Sequence, residues 1–227
     1  MNMVGLSSAL FAYPKQAAFG RVIPKNKIYE HGQVNTRLKT LFVEQVEQIV
    51  WQYKLAPETI NLPAKPEVPE IQVFSIQLKT PELNLDVLRA IDAAVLFPII
   101  FELNFDGRTQ VMACYKQLKD LTTNSCAIND YFATVWLESD SEREAMPLAL
   151  DMASLYEQLL QRLIPISARP QENLADLVAR WQQIARKQRE MDRVSKKLAK
   201  EKQFNRKVEI NSSLRQLKAE LESLTAR

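Results

Sequence analysis

Among 227 residues, Asp92, Glu102 and Lys116 form the set whose types and order come nearest to a reaction. Metal-dependent nucleases of the restriction-enzyme type gather a divalent cation between two or more carboxylates and use a nearby Lys to position the attacking water. Here Asp92 precedes a strand, Glu102 lies within it and Lys116 lies on the next. The spacing departs from the usual pattern. Gln77-Leu78-Lys79 mimics its final tripeptide, yet the acid expected before it on the same hairpin is missing, and Glu70 only flanks the strand. Plainer roles compete for both acids. Asp92 falls in the apolar stripe of Leu85, Leu88, Ile91 and Val95, where an ionised carboxylate needs a partner, and Lys116 or Arg89 would supply one. Glu102 shares a strand face with Ile100 and Asn104, opposite Phe101, Leu103 and Phe105, and reads as solvated.

Other chemistries find less to work with. A glycosidase needs two facing carboxylates, for which Asp92 and Glu102 are a commonplace pair. Cys114 and Cys126 are too few and too poorly spaced for a metal cluster, and the single His31 removes nearly every histidine-based metal site or triad. Both cysteines read as small buried residues. Neither GxxxxGK[ST] nor GxGxxG occurs, so no loop cradles a phosphate, and only four glycines are present. No metal and no cofactor are expected.

The second chemically loaded stretch is basic. From Arg180 to Lys207 there are eleven Lys or Arg against three acids, a local excess of about +8 inside a chain of net charge +3. Leu177, Ile184, Met191 and Leu198 recur every seven residues, with Leu174, Trp181 and Val194 beside them, which makes an apolar helical seam. Arg186, Arg189, Arg193, Lys196, Lys197 and Lys200 fall off that seam and would contact several phosphates without reading bases. The competing reading is the solvated or protein-facing outer side of a coiled coil, where such residues are common. Membrane insertion is disfavoured by the narrowness of the apolar side.

These groups need elements to hold them. Thr36 to Lys54 is read as one wide-faced helix, ended by the prolines of the segment that follows. Ile71 to Lys79 reads as an interior strand and residues 81–95 as a helix. Two strands then turn at Asp106-Gly107, and Asp130 to Ser139 makes a fourth. This order predicts an α+β fold with a small mixed or mostly antiparallel sheet and helices on one face. After Pro147 the chain turns helical, and from about Glu172 it enters a long helical or coiled-coil region. A second seam, Ile210, Leu214, Leu217, Leu221 and Leu224, follows a stutter or a turn near Phe204 to Asn211. The expected division is an α+β domain over 1–165 and a helical region over 170–227. Trp181, Leu214, Leu217, Leu221 and Leu224 are the expected interface, for a second copy or a partner helix, because so short a seam must pack against something. The start lacks the pattern of a signal peptide and no 18-residue apolar run appears, so a soluble cytoplasmic protein with no membrane contact is expected.

Five stretches, KNKIYE (25–30), IVWQYKLAPETINLP (49–63), EIQVFSIQLK (70–79), VLRAIDAAVLFPIIFEL (87–103) and CYK (114–116), together resemble the bacterial family of domain of unknown function 4391, over nearly the whole chain. Members of that family resemble accessory genes found beside helicases, DNA methyltransferases and restriction-like nucleases in phage-defence loci. The resemblance implies a neighbourhood and no chemistry, and it brings no catalytic motif to these residues. The expected function is a non-catalytic accessory subunit that docks a helicase, nuclease or methyltransferase of the same system, with DNA contact through the basic helix. A metal-dependent nuclease using Asp92, Glu102 and Lys116 and a purely structural protein-protein module are the alternatives.

Overall fold

The computed structural model describes residues 9–32, 34–120 and 125–226, with side chains described outside 118–129. The chain divides into two compact units, 1–165 and 166–227.

The first unit opens with β1 (Phe11–Ala12), a 3-10 turn, β2 (Ala18–Val22) and α1 (Lys25–His31). Next comes α2 (Thr36–Gln45), which starts where the Asn35 side chain accepts a hydrogen bond from Leu38 N. It does not run on to Lys54: from Val46 the chain becomes β3 (Val46–Leu55). A run of Val, Ile, Trp and Tyr favours the pleated surface. The register of β3 against its neighbour shifts between Val46 and Gln48 and again between Trp51 and Tyr53. Each irregularity breaks the strict alternation, so burial at Phe42, Val46 and Ile49 imitates a helix.

After a single helical turn, α3 (Pro57–Ile60), come β4 (Ile71–Leu78), α4 (Leu85–Ala94), β5 (Ile99–Phe105), β6 (Arg108–Asp120) and β7 (Ser125–Ala133). The expected strand 130–139 is thus split, its end forming β8 (Leu137–Glu138), which pairs with β6. The sheet order is β2-β3-β4-β5-β6-β7. Within this sheet, among the described residues, only β4 and β5 run parallel, joined by the crossing helix α4, and the other pairs are antiparallel. β5 turns into β6 through Asp106 and Gly107, with φ of 47° and 71°, the left-handed pair that a two-residue hairpin requires.

One sheet face packs on α1, α2 and α4 through Phe42, Phe74, Ile76, Leu88, Ile91 and Phe101, each worth about 1.5–3 kcal/mol on burial. A Cβ at Gly32 would stand 2.7 Å from the Ala90 carbonyl oxygen, so this close approach of α1 to α4 needs a glycine. The helices are not confined to that face. β9 (Glu144–Ala145) pairs with β1, and α5 (Met152–Gln161) lies on the far side, where the Tyr156 ring stacks on Tyr115. Tyr115 points away from α4, since its neighbours Cys114 and Lys116 both reach Asp92 on that helix.

The second unit is a helical hairpin, α6 (Leu174–Lys200) and α7 (Phe204–Thr225), with the turn at 201–203, just ahead of the expected break. Leu177, Ile184, Ile210, Leu214 and Leu217 are buried, so the two apolar seams cover each other within one chain. Arg169 donates to the carbonyls of Ser223, Leu224 and Ala226, closing the last turn of α7, and Arg180 also reaches Leu224. None of the described helices is long and apolar enough to cross a membrane.

Candidate functional sites

Asp92, Glu102 and Lys116 do not meet. Asp92 and Lys116 lie on the helical side of the sheet, 0% and 2% exposed. Lys116 Nζ stands 3.4 Å from Asp92 Oδ1 and donates to the carbonyls of Asp92 at 2.6 Å, Phe97 at 3.1 Å and Val95. The lysine therefore caps the C-terminus of α4 as well as facing a carboxylate, a position the helix dipole favours. Tyr131 Oη and Cys114 Sγ donate to Asp92 Oδ2. Burial pushes the Asp92 carboxyl above its ordinary range, with Lys116 and Tyr131 pulling the other way, and the same burial raises the Tyr131 and Cys114 values. The structural ion pair is with Lys116; Arg89 pairs with Asp86 at 2.9 Å instead. Cys114 is buried, while the Cys126 side chain lies outside the described residues.

Glu102 is on the opposite face and, contrary to the solvated reading, is 5% exposed. Arg143 grips it with two parallel bonds of 2.7 and 2.9 Å and also donates to the Phe11 carbonyl. Near these charges the Tyr13 hydroxyl is buried without a hydrogen-bond partner among the described residues, and burial followed by the Glu102 charge raises its ionisation well above the usual range.

Along this face the sheet changes character. Val73 and Ile100, paired in register, are buried, but the next pairs outward are Ser75 with Glu102 and Gln77 with Asn104. They floor a cleft of about 450 Å³, also lined by Gln52, Phe105, Arg108, Ser139 and Arg143. Asn104 is locked there: its Oδ1 accepts from Thr109 at 2.8 Å, and its Nδ2 donates to Ser75 Oγ at 3.0 Å. Arg143 and this cleft escaped the sequence reading. Alternation in VFSIQLK and FELNF places the four polar residues on one face, but Arg143 sits in an irregular segment with no period to flag it.

The basic set is assembled differently. Arg186, Arg189, Arg193, Lys196, Lys197 and Lys200 are all exposed on α6, and among the described residues none pairs with a carboxylate. At 100° per residue they fall within an arc of about 100°, on the side away from Leu177, Ile184 and Met191. Lys187, closer to the seam, is tied to Glu220 of α7. Of the expected interface residues, Leu214 and Leu217 are buried within the hairpin and Trp181, Leu221 and Leu224 are half-buried. Sequence reasoning missed Glu172, whose carboxylate takes two 2.7 Å bonds from Arg180. Those bonds hold it down at a pKa of about 2.

Among the described residues no group of three or more His, Cys, Asp or Glu side chains could hold a metal ion. The family model that matches the chain, over residues 11–221, is described as a domain of unknown function, DUF4391. No curated protein and no solved structure matches.

Proposed function

From its membership of the DUF4391 family and the surface of α6, we propose that this chain is a non-catalytic accessory subunit that holds nucleic acid by its phosphate backbone. The observation that carries this reading is the stripe itself: six exposed cations on one helix face, none of them paired with a carboxylate among the described residues. From Arg186 to Lys200 the helix rises about 21 Å, the axial length of about six DNA base pairs. Such a row displaces counterions along a strand and has no geometry for reading bases. The apolar side of α6 is covered by α7, which removes the broad face that a membrane-lying helix would need.

The non-catalytic part of the reading is supported by the fate of the acids: Asp92 is sealed with Lys116 and Glu102 is neutralised by Arg143 on the opposite sheet face. The partner class, a helicase, nuclease or methyltransferase of a DNA-processing or phage-defence system, rests on the resemblance alone. Weak phosphate contacts on a docked subunit would act by tethering, since linkage raises the effective concentration of the second contact.

The test is binding of the full chain to a random-sequence DNA duplex at low and moderate salt, beside a full chain in which the six residues are changed to Gln. The expected result is affinity that falls steeply with salt and is lost in the sixfold variant, with an unchanged circular dichroism spectrum. Absence of binding at low salt, or binding that survives the six changes, overturns the reading. Either result would direct the basic face toward an acidic protein.

A further inference from the structure

We propose that the tip of the hairpin of α6 and α7 holds unpaired bases, with Phe204 as the stacking platform, so that the ligand is single-stranded nucleic acid. The inference rests on the phosphate-backbone reading of the α6 stripe and adds which form of nucleic acid is held.

The ring comes first. Phe204 opens α7 directly after the turn at 201–203 and is 77% exposed. One exposed apolar residue needs no explanation. Here Val208, 53% exposed, follows one helical turn later, and both stand away from the buried seam of Ile210, Leu214 and Leu217. Neither serves the packing of the hairpin.

The surroundings are cationic. From Lys196 to Lys207 there are six Lys or Arg against one acid, Glu201. Glu201 Oε1 is occupied by the backbone amides of Lys202 and Gln203. Lys202, Arg206 and Lys207 are exposed like the stripe residues, and among the described residues none pairs with a carboxylate.

Ring and stripe also share a side. Lys187 and Glu220 are bonded and so mark one flank of the hairpin. At about 100° per residue, Lys196 lies about 180° round α6 from Lys187, and Phe204 about 160° round α7 from Glu220. Phe204 and the Lys196 edge of the stripe therefore lie on the other flank, with the three-residue turn between Lys200 and Phe204.

Cations that hold a backbone beside a ring that holds a base are the combination that binds single strands without reading sequence. A duplex keeps its base faces inside the stack, and a phenyl ring enters only by unstacking a step. A protein partner fits less well, since two apolar side chains fall far short of the roughly 800 Å² per partner of a stable interface.

The experiment titrates the full chain, F204A and F204W with a single DNA strand carrying one 2-aminopurine, and with a long duplex of the same sequence, at low salt. Circular dichroism checks the fold of each variant. The expected result is a 2-aminopurine emission change on single-strand binding that F204W keeps and F204A loses. F204A should weaken single-strand affinity about 5- to 100-fold and leave duplex affinity unchanged. Unchanged single-strand affinity in F204A, or no emission change at saturation, overturns the proposal, and duplex binding lost only in the sixfold stripe variant would then leave the stripe reading standing. An equal loss on strand and duplex overturns it too, since Phe204 would then act through the shape of the hairpin. Absence of binding to both probes overturns this proposal together with the reading it rests on.

Discussion

Lys116 and Asp92 are partners of unequal weight. Lys116 Nζ satisfies three carbonyls at the end of α4 in addition to facing the carboxylate, whereas Asp92 draws on Tyr131 and Cys114 as well. In K116M the carbonyls lose their donor and Asp92 becomes a buried unpaired charge, at a cost of about 3–5 kcal/mol. D92N leaves the cap in place and puts a polar amide where the carboxylate was, so its cost should be smaller, about 1–3 kcal/mol. Linkage points the same way. Because burial raises the Asp92 value above 3.8, its contribution to stability is present at pH below that and is lost as pH rises through the folded value, a loss that Asn does not incur. Urea unfolding at neutral pH checks the order; a D92N cost equal to that of K116M would mean that the charge pair, and not the cap, is what matters. The partner of Asp92 was legible because a carboxylate in an apolar stripe demands one. The burial of Glu102 was not, because Arg143 comes from irregular chain 41 residues later.

Among the elements, the hairpin of α6 and α7 is closed at one end by arginines. Glu172 receives both bonds from Arg180, which also reaches the carbonyls of Ser167 and Leu224. The folded value of about 2 lies below the ordinary 4.5, so this carboxylate contributes stability above pH 4.5 and loses it as pH falls toward 2. The amount is on the order of 1–3 kcal/mol. Thermal melts of wild type and E172Q, followed at 222 nm, should differ by a constant amount above pH 4.5 and converge toward pH 2. A gap that stays constant across that range would show that Glu172 acts through shape alone. The paired helices were legible because a seven-residue repeat survives until the turn. The passage from α2 into β3 was hidden by the two register shifts, which restore helix-like spacing to a strand. The polar half of the sheet face was visible as alternation, but alternation cannot tell a lined cleft from open water.

At the scale of the whole molecule, the net charge of +3 conceals opposed units. Residues 166–227 hold fifteen Lys or Arg against eight acids, and the first 165 hold fifteen against nineteen. On the proposed reading the pull on a phosphate backbone comes from the second unit, and within it from those cations that pair with no carboxylate among the described residues. Salt dependence measures their number directly, since each phosphate neutralised contributes about −0.9 to the slope of log K against log salt on duplex DNA. With six cations engaged the slope is about −5, and each single change to Gln along the stripe should reduce it by about 0.9, whichever position is chosen. Lys187 is the internal control. It lies on the same helix within the same run of charge, but Glu220 already holds it, so K187Q should leave the slope near the wild-type value. Fluorescence anisotropy titrations at a series of salt concentrations would separate the cases. If K187Q lowered the slope as much as K196Q does, total charge rather than the geometry of the stripe would govern binding.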